Sequence, residues 1–527
     1  LDSTQNFKKM IMKRNLFTNL KPIFAIAFLS LLTVSCTDLQ IEETDSIIAE
    51  GSTVFEGVAD VDASLTNLYN DIYGQIGDQA NWFALNEVST DETLVPTRGT
   101  DWGDNGIWRT LHSHTWSPTH KYVLDTWNNL NQDVFRASQI IDPLSNPTAE
   151  QEAQARFLRA FSMYFVLDMW GVAPYRNPTD GADIDPSVLS ASEAYQLIID
   201  DLNAAIPNLP SRGPSDDNNR ACKAAGYFML AKAMLNAERY TGSTPNYQGV
   251  VDAVNAIGTE GFGLQAGYFD LFKQDVNNET IWYANTGVGN RIWNGLHYNQ
   301  NSPDNTGGGW NGFTTLAEFY DSFEGNPNSN NVGDGQEERR GWVPDAATAN
   351  SQNLGIGYGS LIGQQYEEDG TILKDRPGNP LVFTKELPGL SGNGENTGIR
   401  IIKYHPGDDG GSFRGHEIVF RYADAHLMKA EAMMRMGGDA TSMVNELRTL
   451  RGATPLGSVS ESDMLAERGR ELYIEFWRRN DLLRFGQFTR DWEFKNPESV
   501  GDTKWNLYPI PINALLSNPN LVQNPGY

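Results

Sequence analysis

A chain of 527 residues exceeds one ordinary core, so two to four core units or one extended repeat array are expected. With 39% hydrophobic and 20% charged residues it reads as globular, neither a polytopic membrane protein nor a disordered chain. Its 67 acidic residues against 40 Lys and Arg give a net charge of −27, which repels phosphate backbones, so no nucleic-acid partner is expected; two cysteines cannot build a disulfide scaffold.

The chain opens on a segment that is not part of the fold. Lys8, Lys9, Lys13, Arg14 and Lys21 precede an apolar run over 23–32, and Thr33, Val34 and Ser35 precede Cys36. A basic region, an apolar stretch and small residues before a cut are the parts of an export signal, here 1–35. The run is about ten residues long, short of the roughly 20 that span a bilayer. Residues 1–9 read as upstream sequence, with Met10 or Met12 as the start. Cys36 resembles the lipid-bearing cysteine of a bacterial lipoprotein box, with Thr33 where Leu is commonest. Residues 36–50, acidic at Asp38, Glu42, Glu43 and Asp45, then form a tether.

The body from 51 to 527 begins and ends helical. Segments 67–73 and 125–141 predict helices, the second ended by Pro143 and Pro147. Leu158, Phe161, Phe165 and Met169 recur at helical spacing until Gly171 and Pro174. Ser190 and Glu193 form a capping box before Tyr195, Ile199, Leu202 and Ile206. An Ala-rich helix is expected over 221–240. Helices of similar length with short Pro-bearing links predict stacked helix–turn–helix pairs of the tetratricopeptide kind. From 258 to 414 Asn, Gly and Asp crowd the chain. That stretch reads as long loops with a few short strands and one helical period near 316–323. Helices return over 417–436, 440–451 and 462–487, and the tail 508–527 reads as irregular. The scaffold is thus 51–257 and 415–527, and the ligand side is 258–414 with loop 89–106.

Several motifs carry a family resemblance. Asp168-Met-Trp170-Gly171-Val-Ala-Pro174-Tyr175 resembles the D-x-W-G-x-x-P-Y segment of the RagB/SusD family of Bacteroidota. Arg421-Tyr422-Ala423-Asp424 through Leu427, with Ala430-Glu431-Ala432, is similar to its R-Y-A-E-x-x-L-x-x-A-E-A helix, with Asp424 and His426 replacing commoner residues. Val444-Asn445 through Arg448, Arg451 and Gly452 resembles its V-N-x-x-R-x-R-A-G segment. Glu467-Arg468-Gly469-Arg470-Glu471-Leu472 followed by Asp481-Leu482-Leu483-Arg484-Phe485-Gly486 resembles its next helix pair. Pro509-Ile510-Pro511 and Asn524-Pro525-Gly526-Tyr527 resemble its C-terminal signature. The resemblance implies a mainly α fold, a superhelix of tetratricopeptide-like helix pairs with a loop-rich insertion region. It also implies a non-catalytic, surface-exposed outer-membrane lipoprotein that binds an oligosaccharide or polysaccharide, without cofactor. Its partner would be a SusC-type TonB-dependent transporter.

Three sets of residues could carry chemistry. Glu467, Glu471 and Glu475 fall at i, i+4 and i+8 on one helical face, which suits either a glycosidase acid pair or ion pairs with the interleaved arginines; the ion pairs are the better reading. His112, His114 and His120 sit among Trp108, Trp116 and Tyr122 without a ligand-spaced carboxylate, so no metal site is expected. Gly307, Gly308 and Gly309 lack a following Lys-Ser/Thr and read as a flexible loop.

The aromatics are the remaining set. A sugar ring offers an apolar face that Trp and Tyr cover and a rim of hydroxyls that Asp, Asn and Arg bind. Trp102, flanked by Arg98, Asp101, Asp104 and Asn105 among three glycines, has no apolar period to bury it. Trp293, Tyr298 and Trp310 lie in a second polar, Gly-rich stretch. The expected binding residues are therefore Trp102, Asp101, Arg98, Asn105, Trp293, Tyr298 and Trp310. Trp82, Trp108, Trp116 and Trp127 read as core, and Trp342 as either. The alternatives are a surface glycoside hydrolase using Asp101 and Asp104, or a peptide-capturing member of the same family. The acidic charge favours a neutral glycan.

Overall fold

The computed structural model describes residues 55–527 apart from 182, 274, 276, 301–307 and 409–415. The signal segment, Cys36 and the tether lie outside the described residues. Among those described, no helix is long and apolar enough to cross a membrane.

The scaffold is a run of helices packed in succession. Lys121–Ile141 packs on Ala149–Trp170, which packs on Ala191–Ala205; Lys223–Leu235 packs on Tyr247–Thr259, and that helix on Tyr422–Arg435. The central member is Ala149–Trp170. Every side chain from Phe157 to Trp170 is buried, so it carries no one-sided stripe and is covered all round. Thr148 and Gln151 close a capping box at its start, and Ser190 with Glu193 and Ser460 with Asp463 do the same for later helices. Trp82, Trp108, Trp116, Trp127, Trp170 and Trp477 are all core.

The middle of the chain is loops with short strands. Gly341–Trp342, Tyr358–Leu361 and Arg400–Ile402 form a three-stranded antiparallel sheet, and Gly363–Gln364 pairs with Val382–Phe383. The expected helix near 316–323 is the short Ala317–Tyr320.

Several expected elements need correction. The 417–436 segment is a buried strand, Glu417–Arg421, paired antiparallel with Thr280–Ala284, and only then a helix, Tyr422–Arg435. Five successive buried residues satisfy a two-sided strand as well as a helix, which is why periodicity misreads them. The 221–240 helix breaks at Asn236, whose side-chain amide donates to the Lys232 carbonyl at 3.0 Å. Segment 462–487 is two helices, Glu461–Leu472 and Arg478–Arg484. Between them Ile474 and Phe476 have φ of 53° and 72°, an unfavourable backbone for L side chains. Phe476 is held there by Trp82 and Phe83, with ring centroids 5.3 Å away in each case. Glu475 therefore lies past the helix end, off the face of Glu467 and Glu471. The helices Tyr247–Thr259 and Ile512–Ser517 were not expected.

The three glutamates make ion pairs inside the protein. Glu471, fully buried, meets Arg421 at 2.6 Å and Arg451 at 2.9 Å. Glu467 meets Arg339 and Arg470 at 2.6 Å and Arg448 at 2.7 Å, and Glu475 meets Arg421 at 2.9 Å and Lys403. Each of the three glutamates meets at least two cations, which supply the hydrogen bonds that buried charges need. Asp168 braces the end of its helix in the same way, bonded to Arg239, Tyr240, Arg479 and Asn480.

Candidate functional site

Three loop segments converge around Trp102. The first half of the 89–106 loop is not a surface feature: residues 89–96 are buried, and Leu94 bridges to Thr314. The chain reaches the surface at Gly99 and doubles back through a bridge between Arg98 and Asp101. Trp102, Asp104 and Asn105 all have positive φ, at 58°, 36° and 51°. A tryptophan in that region is uncommon and strained, and strain of this kind collects at binding sites. Arg109 holds the bend, its guanidinium donating to the carbonyls of Trp102 at 2.9 Å and Gly103 at 2.6 Å.

Trp102 is half-buried, which corrects the expectation that nothing could bury it. One edge packs in T-shaped contact with Trp108 and Phe313, at centroid distances of 5.8 and 6.1 Å. Its Nε1–H donates to the Trp310 carbonyl at 2.8 Å. Trp310 is 38% exposed, the more open indole of the two.

The segment bearing Trp310 is pressed backbone-to-backbone on the turn after the Gly289–Trp293 helix. Trp310 N donates to Trp293 O at 2.7 Å, and Asn311 N to Leu296 O at 2.8 Å. A Cβ on Gly308 would stand 1.5 Å from the Tyr298 carbonyl oxygen, and one on Gly309 2.1 Å from that of Leu296. These glycines are there for close approach, not for flexibility. Trp293 is half-buried against the core, and its ring belongs to the support.

Tyr298 is tied to the same bend through Asp101. Its hydroxyl donates to Asp101 Oδ2 at 2.8 Å, and Arg376 donates to the same oxygen at 2.9 Å. The Arg376 guanidinium lies 3.8 Å from the Tyr298 ring centroid and also pairs with Glu395. These two donors hold the Asp101 carboxyl below its usual range, while burial and the neighbouring Asp101 push the Tyr298 phenol up. Asn105 is exposed beside Trp102 in sequence.

Arg98 belongs elsewhere. It is 1% exposed, and its guanidinium donates to the carbonyls of Asn311, Gly394 and Thr397. Buried Arg400 lies in the same cradle, bonded to Asn311 Oδ1 at 2.8 Å and to the carbonyls of Glu395, Thr397 and Gly398. Burial pulls Arg98 down to about 9. Arg98 frames the loops and does not reach solvent. Sequence reading missed Arg109, Arg376, Glu395, Asn311 and Arg400; the one available signal was Asn311 following Trp310 in the polar stretch.

The arrangement offers no acid–base pair. Asp101 is clamped in its ionised form, and Asp104 accepts from Trp108 Nε1 at 3.0 Å. A general acid needs a raised carboxyl, and the donors on Asp101 hold it the other way. His112, His114 and His120 each bond a main-chain carbonyl, and no cluster that could hold a metal exists among the described residues. Cys222 is buried.

A family model described as "SusD family" matches residues 278–527, and one described as "Starch-binding associating with outer membrane" matches residues 42–235. The starch-binding protein SusD of Bacteroides thetaiotaomicron is 29% identical over 496 residues, covering 86% of each chain. SusD-like protein P25 of Formosa agariphila is 24% identical, covering 96% of this chain and 99% of its own. Surface glycan-binding protein A of Bacteroides thetaiotaomicron, solved in complex with laminarihexaose, shares the fold with a TM-score of 0.64. Its identity is 18%, over 88% of this chain and 98% of that one. The helical pairs, the loop-borne aromatics and these matches agree on the RagB/SusD family, whose model matches residues 278–527.

Proposed function

We propose that the chain is a non-catalytic surface protein that captures a neutral oligosaccharide or polysaccharide on the Trp102–Trp310 face and passes it to a SusC-type TonB-dependent transporter. The observation that carries the reading is the convergence of Trp102, Trp310 and Tyr298 from two distant loops, with Asp101, Asn105 and Arg376 at their edge. Indole and phenol rings cover the apolar face of a pyranose at small cost in side-chain freedom, and the polar rim meets its hydroxyls. Neutrality follows from the cations. Arg98 and Arg400 are buried on carbonyls, and Arg376 is already shared by Asp101 and Glu395, so these three arginines are not open to an anionic sugar. The relatives' names support a glucan: one is called starch-binding, and one was solved with laminarihexaose.

A panel of soluble starch, laminarin, xylan, galactomannan and alginate tests this by affinity electrophoresis. Retardation by a neutral polymer and none by alginate is expected. Retardation by alginate alone would overturn the reading of the face. Anchoring through Cys36 belongs to the same proposal. Cys36→Ala should release the protein from the outer-membrane fraction, and a variant that still pellets there and labels at the cell surface refutes the anchor.

A further inference from the structure

A second aromatic ridge stands on the three-stranded sheet. Trp342 and Tyr358 are directly opposed across adjacent antiparallel strands. Their ring centroids are 5.7 Å apart and their planes are inclined by 42°. Both rings are half-buried. The strands meet closely because the ridge is flanked by glycines: a Cβ on Gly341 would fall 1.9 Å from the Tyr358 carbonyl oxygen, and one on Gly357 1.9 Å from that of Trp342. Tyr358 is fixed further by His405, stacked at 4.4 Å, and by its hydroxyl bond to Asp408 at 2.8 Å.

Two cavities of about 670 and 680 Å³ share Trp342, Tyr358 and Lys273 as walls, so together they form one trough crossed by the ridge. Volumes of this size hold small ligands. The trough keeps unspent polar groups. Among the described residues the Trp342 indole N–H and the Gln352 side-chain amide have no hydrogen-bond partner, and Gln336 uses only its amide nitrogen. Lys273 bonds Asp270 at 2.5 Å and has two further donor protons. Val332, 63% exposed, adds an apolar lip. In the wall beyond the ridge, Leu354 holds a φ of 55°, an unfavourable conformation for a branched side chain.

An indole plane, free amides and a lone amine beside several carboxylates recognise hydroxyls and reject anions. We propose that this trough is a second saccharide-binding site, taking a neutral glycan chain that runs across the Trp342–Tyr358 ridge. The proposal rests on the glycan-capture reading above. It shares no residue with the Trp102 face: its walls come from segments 269–273, 332–358 and 405–408, and those of the first from 98–109, 293–312 and 376–400. Two sites on one chain strengthen binding of a long polymer by avidity without any new contact.

The test uses the purified protein, the same polysaccharide panel, and hexasaccharides of the polymer that binds. Titration calorimetry should give two hexasaccharide sites per chain. Trp342→Ala should reduce them to one and weaken polymer binding at least about tenfold, leaving the Trp102 site intact. Gln352→Ala, a surface change that does not touch the sheet, should weaken polymer binding in the same direction. Thermal melts confirm that both variants fold. One site in the unmodified protein, or polymer affinity unchanged in both variants, overturns this proposal and leaves the first reading standing. No binding of any panel member by the unmodified protein overturns both.

Discussion

The indole N–H of Trp102 donates to the main-chain carbonyl of Trp310 at 2.8 Å, across 208 residues of sequence. One aromatic thus positions the other. The bond fixes the plane of Trp102 against rotation and pins the exposed Trp310 loop to a bend that Arg109 already holds. Rigid aromatics lose little freedom when a ligand settles on them.

Trp102→Ala should weaken binding of the cognate oligosaccharide at least about tenfold, near 1.4 kcal/mol. The melt should fall as well, because the ring packs on Trp108 and Phe313. Trp102→Phe separates the two effects: it keeps most of the packing and loses the bond to Trp310, so its melt recovers more than its affinity. Calorimetry and a thermal melt on both variants decide the matter. An unchanged affinity in Trp102→Ala, with a lowered melt, would make Trp102 a packing residue and leave Trp310 and Tyr298 to carry the site.

Gly312 offers a way to move Trp102 without replacing it. A Cβ there would stand 2.3 Å from Trp102 Cζ2, well inside van der Waals contact. Gly312→Ala should push the indole off its bond and reduce affinity by the same order as Trp102→Ala. Gly308→Ala meets backbone instead, the Tyr298 carbonyl, and should impair folding of the whole 293–312 turn. If Gly312→Ala binds like the parent, the position of Trp102 does not matter to the ligand.

The helical scaffold was legible because it obeys local rules. Ser190 and Glu193 cap as their spacing predicts, and Gly171 ends its helix in the left-handed conformation. The misread places are those where tertiary packing overrules the local pattern. Ile474 and Phe476 break a helix that propensity would continue, because the core of Trp82 and Phe83 captures Phe476. In the site, Trp102, Tyr298 and Trp310 could be found from aromatic residues in polar loops. Arg98 could not be sorted from Arg376 in the same way. Both are arginines in Gly-rich loops, and only folding shows that the first is buried on carbonyls while the second reaches Asp101.

Glu471 tests the buried network. It pairs with Arg421 and Arg451 with no exposure to water. Removing one partner of such a pair leaves uncompensated buried charge and costs about 3–5 kcal/mol. Glu471→Ala should therefore lower the melt by many degrees. Measured well below that melt, oligosaccharide affinity at the Trp102 face should stay within about twofold of the parent, since none of Trp102, Trp310, Tyr298, Asp101 and Arg376 touches the network. A stable Glu471→Ala variant would show that the guanidiniums find other partners.

Stability should depend on pH in two opposed ways. Burial alone would raise Asp91 and Glu467, but Arg478 and Arg490 beside the first, and Arg339 and Arg470 beside the second, overcome it and hold both at about 2. Their ordinary values are 3.8 and 4.5, so their contribution is complete above those values and is lost as pH falls to about 2. Buried His112, His297 and His405, pulled from 6.5 to about 4, act in the same sense and start the acid loss near pH 6.5. Glu87 runs the other way. Burial pushes its carboxyl from 4.5 up to about 8, so its contribution is complete below 4.5 and is lost as pH rises to about 8. Glu87→Gln keeps the shape and removes that titration. Plotted against pH, the melting temperature of Glu87→Gln minus that of the parent should climb by several degrees between pH 4.5 and 8 and level off on either side. A difference that stays flat through that window would mean Glu87 is ionised and paired in the folded protein.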